Sequence, residues 1–448
     1  MSKHIVIAGG GLAGLSSALK LALNGIKVTL IEKRDRLGGR AASISNNISK
    51  QEIDNAQHVL LGCCKELIEF YNNLGVTYKI RFYNKYLFMD KSKKTSTLSI
   101  SNMPAPLHLF PSFLKLHFLS LNDKLAIIRS LIKIFFTNNT HLLSKKTISE
   151  WLTNERQSQN AIERFWRYLI VSVMNEELYK VNCKHAFLFF KEAFLKSNKS
   201  SSLGIATVPL SHLYTSLEKD IKKAGGNILL NTTIELVELS DNKIKAVHLN
   251  NNKHIDADIL ILALNMHGAA KLIPSILPPY CVPEHVPILG IHLWLDPPFF
   301  PYEFIALTDS PIHWIFNKRL NYMENTGSVE YLHLLVSAAR EWHKLPSQKI
   351  IELALKELNY YFPESSNSRL INALTTKEGN ATFSPTPAFE MMRPESKTAI
   401  SNLFLAGDWI NTGWPSTMES AVRSGNLAAN AVLEKVKESQ RVPAMEKE

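Results

Sequence analysis

Cysteine is scarce in this 448-residue chain: the four thiols, Cys63, Cys64, Cys183 and Cys281, fall at no spacing that would ligate a metal. Two of them are neighbours, and no disulfide framework emerges, so a reducing compartment and no metal site are expected. Long apolar runs are missing as well. No stretch of 18 apolar residues occurs, which excludes a transmembrane helix recognisable by hydropathy. The opening residues lack a basic region, an apolar stretch and a small-residue cleavage site, so no signal peptide and a cytoplasmic location are expected. Repeats and low-complexity linkers are also absent, which argues against a solenoid or a string of tethered modules. Acidic residues run short in one place. From Lys79 to Lys146 twelve basic residues face only Asp90 and Asp123, leaving that segment at +10 in a chain whose net charge is +11. Such a region attracts nucleic acid or an anionic membrane. No nucleic-acid-binding module accompanies it, so no nucleic acid is expected.

What is present begins at residue 4. HIVIAGGGLAGLSSALKLALNGIKVTLIEK reads as strand, glycine turn, helix and second strand within about thirty residues. Gly9 permits the tight turn, Gly11 lets the backbone approach a pyrophosphate, and Gly14 lets helix and strand pack closely. Leu12 and Ala13 open the helix, whose free N–H groups suit phosphates. Glu32, with Lys33 beside it, ends the second strand, where a carboxylate can bind the ribose hydroxyls of an adenosine. This pattern alone does not separate FAD from NAD.

LGGRA (residues 37–41) and LFLAGD (residues 403–408) narrow the choice, because they resemble two motifs of the FAD-dependent amine oxidase and carotenoid desaturase superfamily. The resemblance implies FAD, with Gly38, Gly39 and Arg40 at its pyrophosphate and Val237 contributing from the middle of the chain. Gly407 would come close to the cofactor, and Asp408 would accept a ribityl hydroxyl. A helix starting near Ser416, Thr417 and Met418 would aim its positive end at the flavin's N1–O2 edge.

IDNAQHVLLGCCKE (53–66), FWRYLIVSVMN (165–175), LWLD (293–296), NATFSPTPAFEMMRP (380–394) and AGDWINTGWPSTMESAVRSG (406–425) resemble the hydroxysqualene dehydroxylases of bacterial squalene and hopanoid synthesis. The resemblance runs from Ile5 to about Asn430. Ala56, Arg167, Tyr168 and Ser420 depart from the family pattern and bear on substrate fit more than on FAD. The implied reaction removes the allylic hydroxyl of hydroxysqualene and adds hydride, giving squalene. His58 and Asp54 are the candidate proton donors, with Gln57 as an orienting group and Trp414, or Trp409, facing a cationic intermediate. The same polar groups could instead bind FAD or satisfy loop backbone. Glu419 is a candidate supporting partner at the helix start.

The expected fold is α/β: a Rossmann-like FAD-binding domain interleaved in sequence with an α+β substrate-binding domain, as in amine oxidases and phytoene desaturases. Residues 1–80, 204–270 and 395–436 are assigned to the FAD domain, 81–203 and 271–394 to the substrate domain, and 437–448 to a polar tail. Residues 103–136 mix Phe, Leu and Ile with Lys and Arg. Wound as a helix from Asn122, they turn Leu125, Ile128, Leu131, Ile132 and Phe135 to one broad apolar face, with Arg129, Ser130 and Lys133 on a polar side. Peripheral contact with the inner face of the cell membrane through 79–146 is expected, beside prenyl synthases that make the substrate. No second dinucleotide motif occurs, so a separate reductase is expected to reduce the flavin. Two alternatives share the early motifs: a polyprenyl desaturase or oxidase running hydride the other way, and a prenyl-lipid carrier of the Rab GDP-dissociation inhibitor type without redox chemistry.

Overall fold

A computed structural model describes residues 3–45, 52–138, 140–276, 283–323 and 328–445. Cys281 and the last three residues of the expected tail lie outside them. The apolar runs Ile5–Ala8, Val28–Ile31 and Ile259–Leu262 are buried on both faces, as parallel strands sandwiched by helices must be. With Asn227–Leu229 and Leu403–Leu405 they form one five-stranded sheet, every pairing parallel. Its order places Ile5–Ala8 at the centre, between Val28–Ile31 and Ile259–Leu262. The fold is therefore α/β, with a Rossmann-type sheet gathered from distant parts of the chain.

Helix Leu12–Leu23 packs against the long C-terminal helix Met418–Met445. Small residues let them touch: Ser16 and Ser17 donate to the carbonyls of Val422 and Gly425, and a Cβ on Gly425 would sit 2.2 Å from the Ala13 carbonyl. The C-terminal helix runs past residue 436 into the stretch assigned to a polar tail, because Glu434, Lys435, Lys437 and Glu438 are good helix formers.

The second layer is a mixed seven-stranded sheet. Its order is Arg369–Phe383, His285–Asp296, Glu330–Val336, Trp314–Asn317, Phe304–Leu307, Lys85–Met89 and Thr95–Ser99. Alternation divides its two faces. Leu289, Ile291, Leu293, Leu332 and Leu334 pack with Ile350 and Leu358 of helix Ser347–Tyr361. The other face carries Phe88, Phe304, Phe316 and Leu335 against a helical layer, then Trp294 and Tyr331 against Ile44 and Ile53.

Two expected helices differ. The stretch 209–226, whose pattern reads as one helix ending at Gly225 and Gly226, forms helix only at Leu217–Lys223, after a short 3-10 turn at Leu210–Leu213 whose first amide is held by the Asp54 carboxylate. In Leu121–Phe136 the buried residues are Asp123, Ile127, Ser130 and Ile134, so Ser130 faces inward, where Gln157 donates to it. Leu125, Ile132, Phe135 and Phe136 are left exposed. Among the described residues, no helix is long and apolar enough to cross a membrane.

Candidate functional site

The first strand turns at Gly9, whose φ of 107° is open to glycine and strained for other residues. Gly11 caps helix Leu12–Leu23 without any side-chain cap, so the amides of the first turn face outward unpaired by a capping group. Gly14 has no room for a side chain: a Cβ would meet the Gly9 carbonyl oxygen at 1.9 Å. The second glycine turn folds onto the first. Gly38 donates its amide to Gly10, and a Cβ on Gly39 would approach the Gly11 Cα to 3.0 Å. Two backbones without side chains thus border the helix N-terminus, a cradle suited to a pyrophosphate. Glu32 stands at its flank, accepting from the amides of Gly10 at 2.7 Å and Arg34 at 2.9 Å. Lys33 is exposed, whereas Val237 is buried beside Ile31 and Ile244.

Arg40 leaves the second glycine turn and ties three segments together. It donates to the Ala381 carbonyl at 2.7 Å and pairs with Asp408 at 2.6 Å. Burial opposes charge on Asp408, but Arg40 and the Ser416 hydroxyl outweigh it and hold the carboxyl below its ordinary value. The loop after Gly407 is fixed from beneath by Arg393, which sequence reasoning did not single out. Its buried guanidinium donates to the carbonyls of Asp408 (3.0 Å), Ile410 (2.5 Å) and Trp414 (2.7 Å). Glu390 balances that charge at 3.1 Å and also binds His185 and Lys184. Trp409 packs into the core, its indole N–H donated to Leu264, so it does not wall a cofactor. Trp414 is half-buried, with the Arg423 guanidinium 4.8 Å from its ring centre. Met418 begins the C-terminal helix, and Thr417 accepts from the Ser420 amide as its cap. Glu419 turns elsewhere: its carboxylate accepts from the Glu66 and Leu67 amides and so caps helix Lys65–Asn73.

The DNAQH segment requires a correction. Asp54 is almost fully buried, and both carboxylate oxygens are occupied. Ser43 and the Leu210 amide donate to one oxygen, Lys318 and Tyr322 to the other, the lysine at 2.9 Å. Burial works against its charge, but Lys318 and these hydrogen bonds prevail and lower its pKa, so it carries no proton to give near neutrality. His58 Nδ1 lies 2.9 Å from the Ala56 carbonyl, which can only accept; the proton therefore sits on Nδ1 and Nε2 presents a lone pair. Burial lowers its pKa against the opposing pull of that hydrogen bond, which keeps the ring neutral. Asp54 is an anchor and His58 an acceptor; neither is poised as an acid. Gln57 is buried with its Oε1 unpartnered among the described residues.

The profile of the family described as flavin containing amine oxidoreductase matches residues 12–433. The 15-cis-phytoene desaturase of Synechococcus elongatus is 24% identical, over 98% of this chain and 97% of its own. The hydroxysqualene dehydroxylase of Zymomonas mobilis is 26% identical, over 96% and 98%. Among solved structures, an oxidoreductase from Methanosarcina mazei superposes with a TM-score of 0.73 at 17% identity, covering 96% of this chain and 100% of that one. Cyclohexylamine oxidase from Brevibacterium oxydans superposes with a TM-score of 0.70, also at 17% identity, over 98% and 100%.

Proposed function

Because this chain belongs to the flavin-containing amine oxidoreductase family, we propose that it is an FAD-dependent hydroxysqualene dehydroxylase, reducing an allylic C30 alcohol to squalene. FAD is the family's cofactor, and the paired glycine turns, the open helix N-terminus and the Arg40–Asp408 bridge fit it. Bound and reduced, FAD would supply hydride to the carbon whose hydroxyl leaves as water with one proton taken up from solvent. The protein's part is to hold the cofactor at Gly11, Gly39 and Arg40, to keep water out, and to lay a long hydrocarbon along an apolar wall.

The observation that carries this reading is the inner face of the seven-stranded sheet. It is aromatic from Phe88, Phe304 and Phe316, packed under the helical layer, to Trp294 and Tyr331, packed on Ile44 and Ile53 of the 43–58 segment that follows the second glycine turn. An uncharged, apolar layer of this composition beside the cofactor cradle supports an uncharged polyprenyl substrate. The match to the Zymomonas mobilis enzyme along nearly its full length supports the same substrate class. A carrier without redox chemistry would have no use for the complete cofactor cradle.

The exposed Leu121, Leu125, Ile132 and Phe136, beside Lys124, Arg129 and Lys133, support peripheral docking on an anionic membrane, where such a lipid dissolves. Prenyl synthases making the alcohol are the partners this implies. The phytoene desaturase match supports a second reading, oxidation of a polyprenyl hydrocarbon. One anaerobic experiment separates the two. With the flavin reduced, added hydroxysqualene is expected to yield squalene as the flavin's visible absorbance returns. A yellow protein that leaves the alcohol untouched but takes electrons from phytoene would overturn the dehydroxylase reading.

A further inference from the structure

Two histidines stand on the inner face of the sheet that no motif singled out. His292 and His333 sit directly opposite each other on strands His285–Asp296 and Glu330–Val336, where alternation turns them toward the same side as Trp294 and Tyr331. Their rings stack at 3.9 Å between centres. Both are fully buried. His292 Nδ1 bonds the Tyr331 hydroxyl at 2.9 Å, while its Nε2 has only Thr376 at 3.5 Å. Neither nitrogen of His333 has a partner among the described residues.

Gly290 lies beneath them. A Cβ there would come within 2.8 Å of His333 Nε2 and 2.4 Å of the Thr376 hydroxyl, so a glycine keeps the imidazole in place. Burial leaves both rings neutral, and the neighbouring His292 and the Lys318 charge push His333 further the same way. Those influences also put His333 within electrostatic reach of the DNAQH segment. A neutral imidazole offers one N–H and one lone pair. Left unanswered in an apolar surround, each costs about as much as a lost hydrogen bond. A hydroxyl, itself donor and acceptor, answers either. The nearby Lys318–Asp54 pair is internally balanced, so the place favours no charged group.

We propose that His333, stacked on His292 above Gly290, is the subsite that takes the one hydroxyl of an otherwise apolar polyprenyl substrate. The assignment rests on the dehydroxylase reading and names the group that distinguishes an alcohol from a hydrocarbon of the same skeleton. His333 is a specificity residue here. Lys318, Asp54 and Tyr331 act through position.

The test uses FAD-loaded protein titrated with hydroxysqualene and with squalene in detergent micelles, following perturbation of the visible flavin band. Wild type is expected to bind the alcohol roughly 10-fold more tightly, the worth of about one net hydrogen bond. In His333→Phe that ratio falls to about 1, with squalene affinity and FAD content unchanged. Gly290→Ala, which displaces the ring but keeps it, gives the same loss and carries the test should the first variant fail to fold. A preference that survives in the variants overturns the subsite and leaves the dehydroxylase reading standing. A wild type that turns over the alcohol without preferring it overturns the subsite alone. Neither preference nor turnover overturns both.

Discussion

His313 shows how one buried ring couples stability to pH. It lies in the interior, its Nδ1 accepts from the Ser337 amide, and burial with the Arg167 charge lowers its pKa to about 4. Unfolded, a histidine titrates near 6.5. Between those values the unfolded chain binds a proton that the folded one refuses, so this stabilisation is complete above about pH 6.5 and lost as pH falls toward 4. Chemical denaturation at pH 7 and pH 5 is expected to show wild type losing about 2 kcal/mol more than His313→Gln over that interval. Parallel losses would refute it. His292, held near 3, and His185 act in the same direction. The glycines and Arg40 were legible at this scale because their spacing is local. The Asp54–Lys318 pair was not, since 264 residues separate its members and only the tertiary fold brings them together.

The loop between Leu403–Leu405 and Met418–Met445 depends on a residue outside itself. Arg393 satisfies carbonyls of residues 408, 410 and 414, and nothing apolar could replace those donors. Arg393→Met is expected to destabilise the protein by about 3 kcal/mol, the low end for a broken buried pair because His185 and Lys184 still hold Glu390. It should also shed FAD on gel filtration. Full FAD retention with stability within about 1 kcal/mol of wild type would rule the clamp out. Elements with local signals were readable: the Rossmann turn, the helix Leu121–Phe136 and the final strand-loop-helix. The stretch ERFWRYLIVSVMNEEL (163–178) has a helical pattern throughout, but the structure inserts a π-helical turn at Ile162–Arg167 and stops at Asn175, left-handed at φ 53°. Residue patterning carries no mark of either. The histidine pair was hidden for a related reason: strand register, not spacing, places His292 opposite His333.

For the molecule as a whole, the uneven charge and the exposed apolar side chains coincide on residues 103–136. Leu121 is 68% exposed and Phe136 73%, an arrangement that water alone does not favour. Flotation with vesicles should carry wild type upward with phosphatidylglycerol-containing membranes, less with purely zwitterionic ones, and less in high salt. Leu121→Ser with Phe136→Ser should cut the bound fraction several-fold while sparing FAD content. Equal flotation of the double variant would remove this face from consideration.

The five-stranded sheet has a consequence in time as well as in space. Its strands lie at residues 5–8, 28–31, 227–229, 259–262 and 403–405, so a chain emerging from the ribosome holds its opening strands long before their last neighbour exists. Until Leu403–Leu405 is made, strand Ile259–Leu262 keeps an open edge. Asp408 and the closing helix come later still. Capture of the yellow cofactor must wait until Asp408 and the start of that helix, far downstream of the first glycine turn, have been translated.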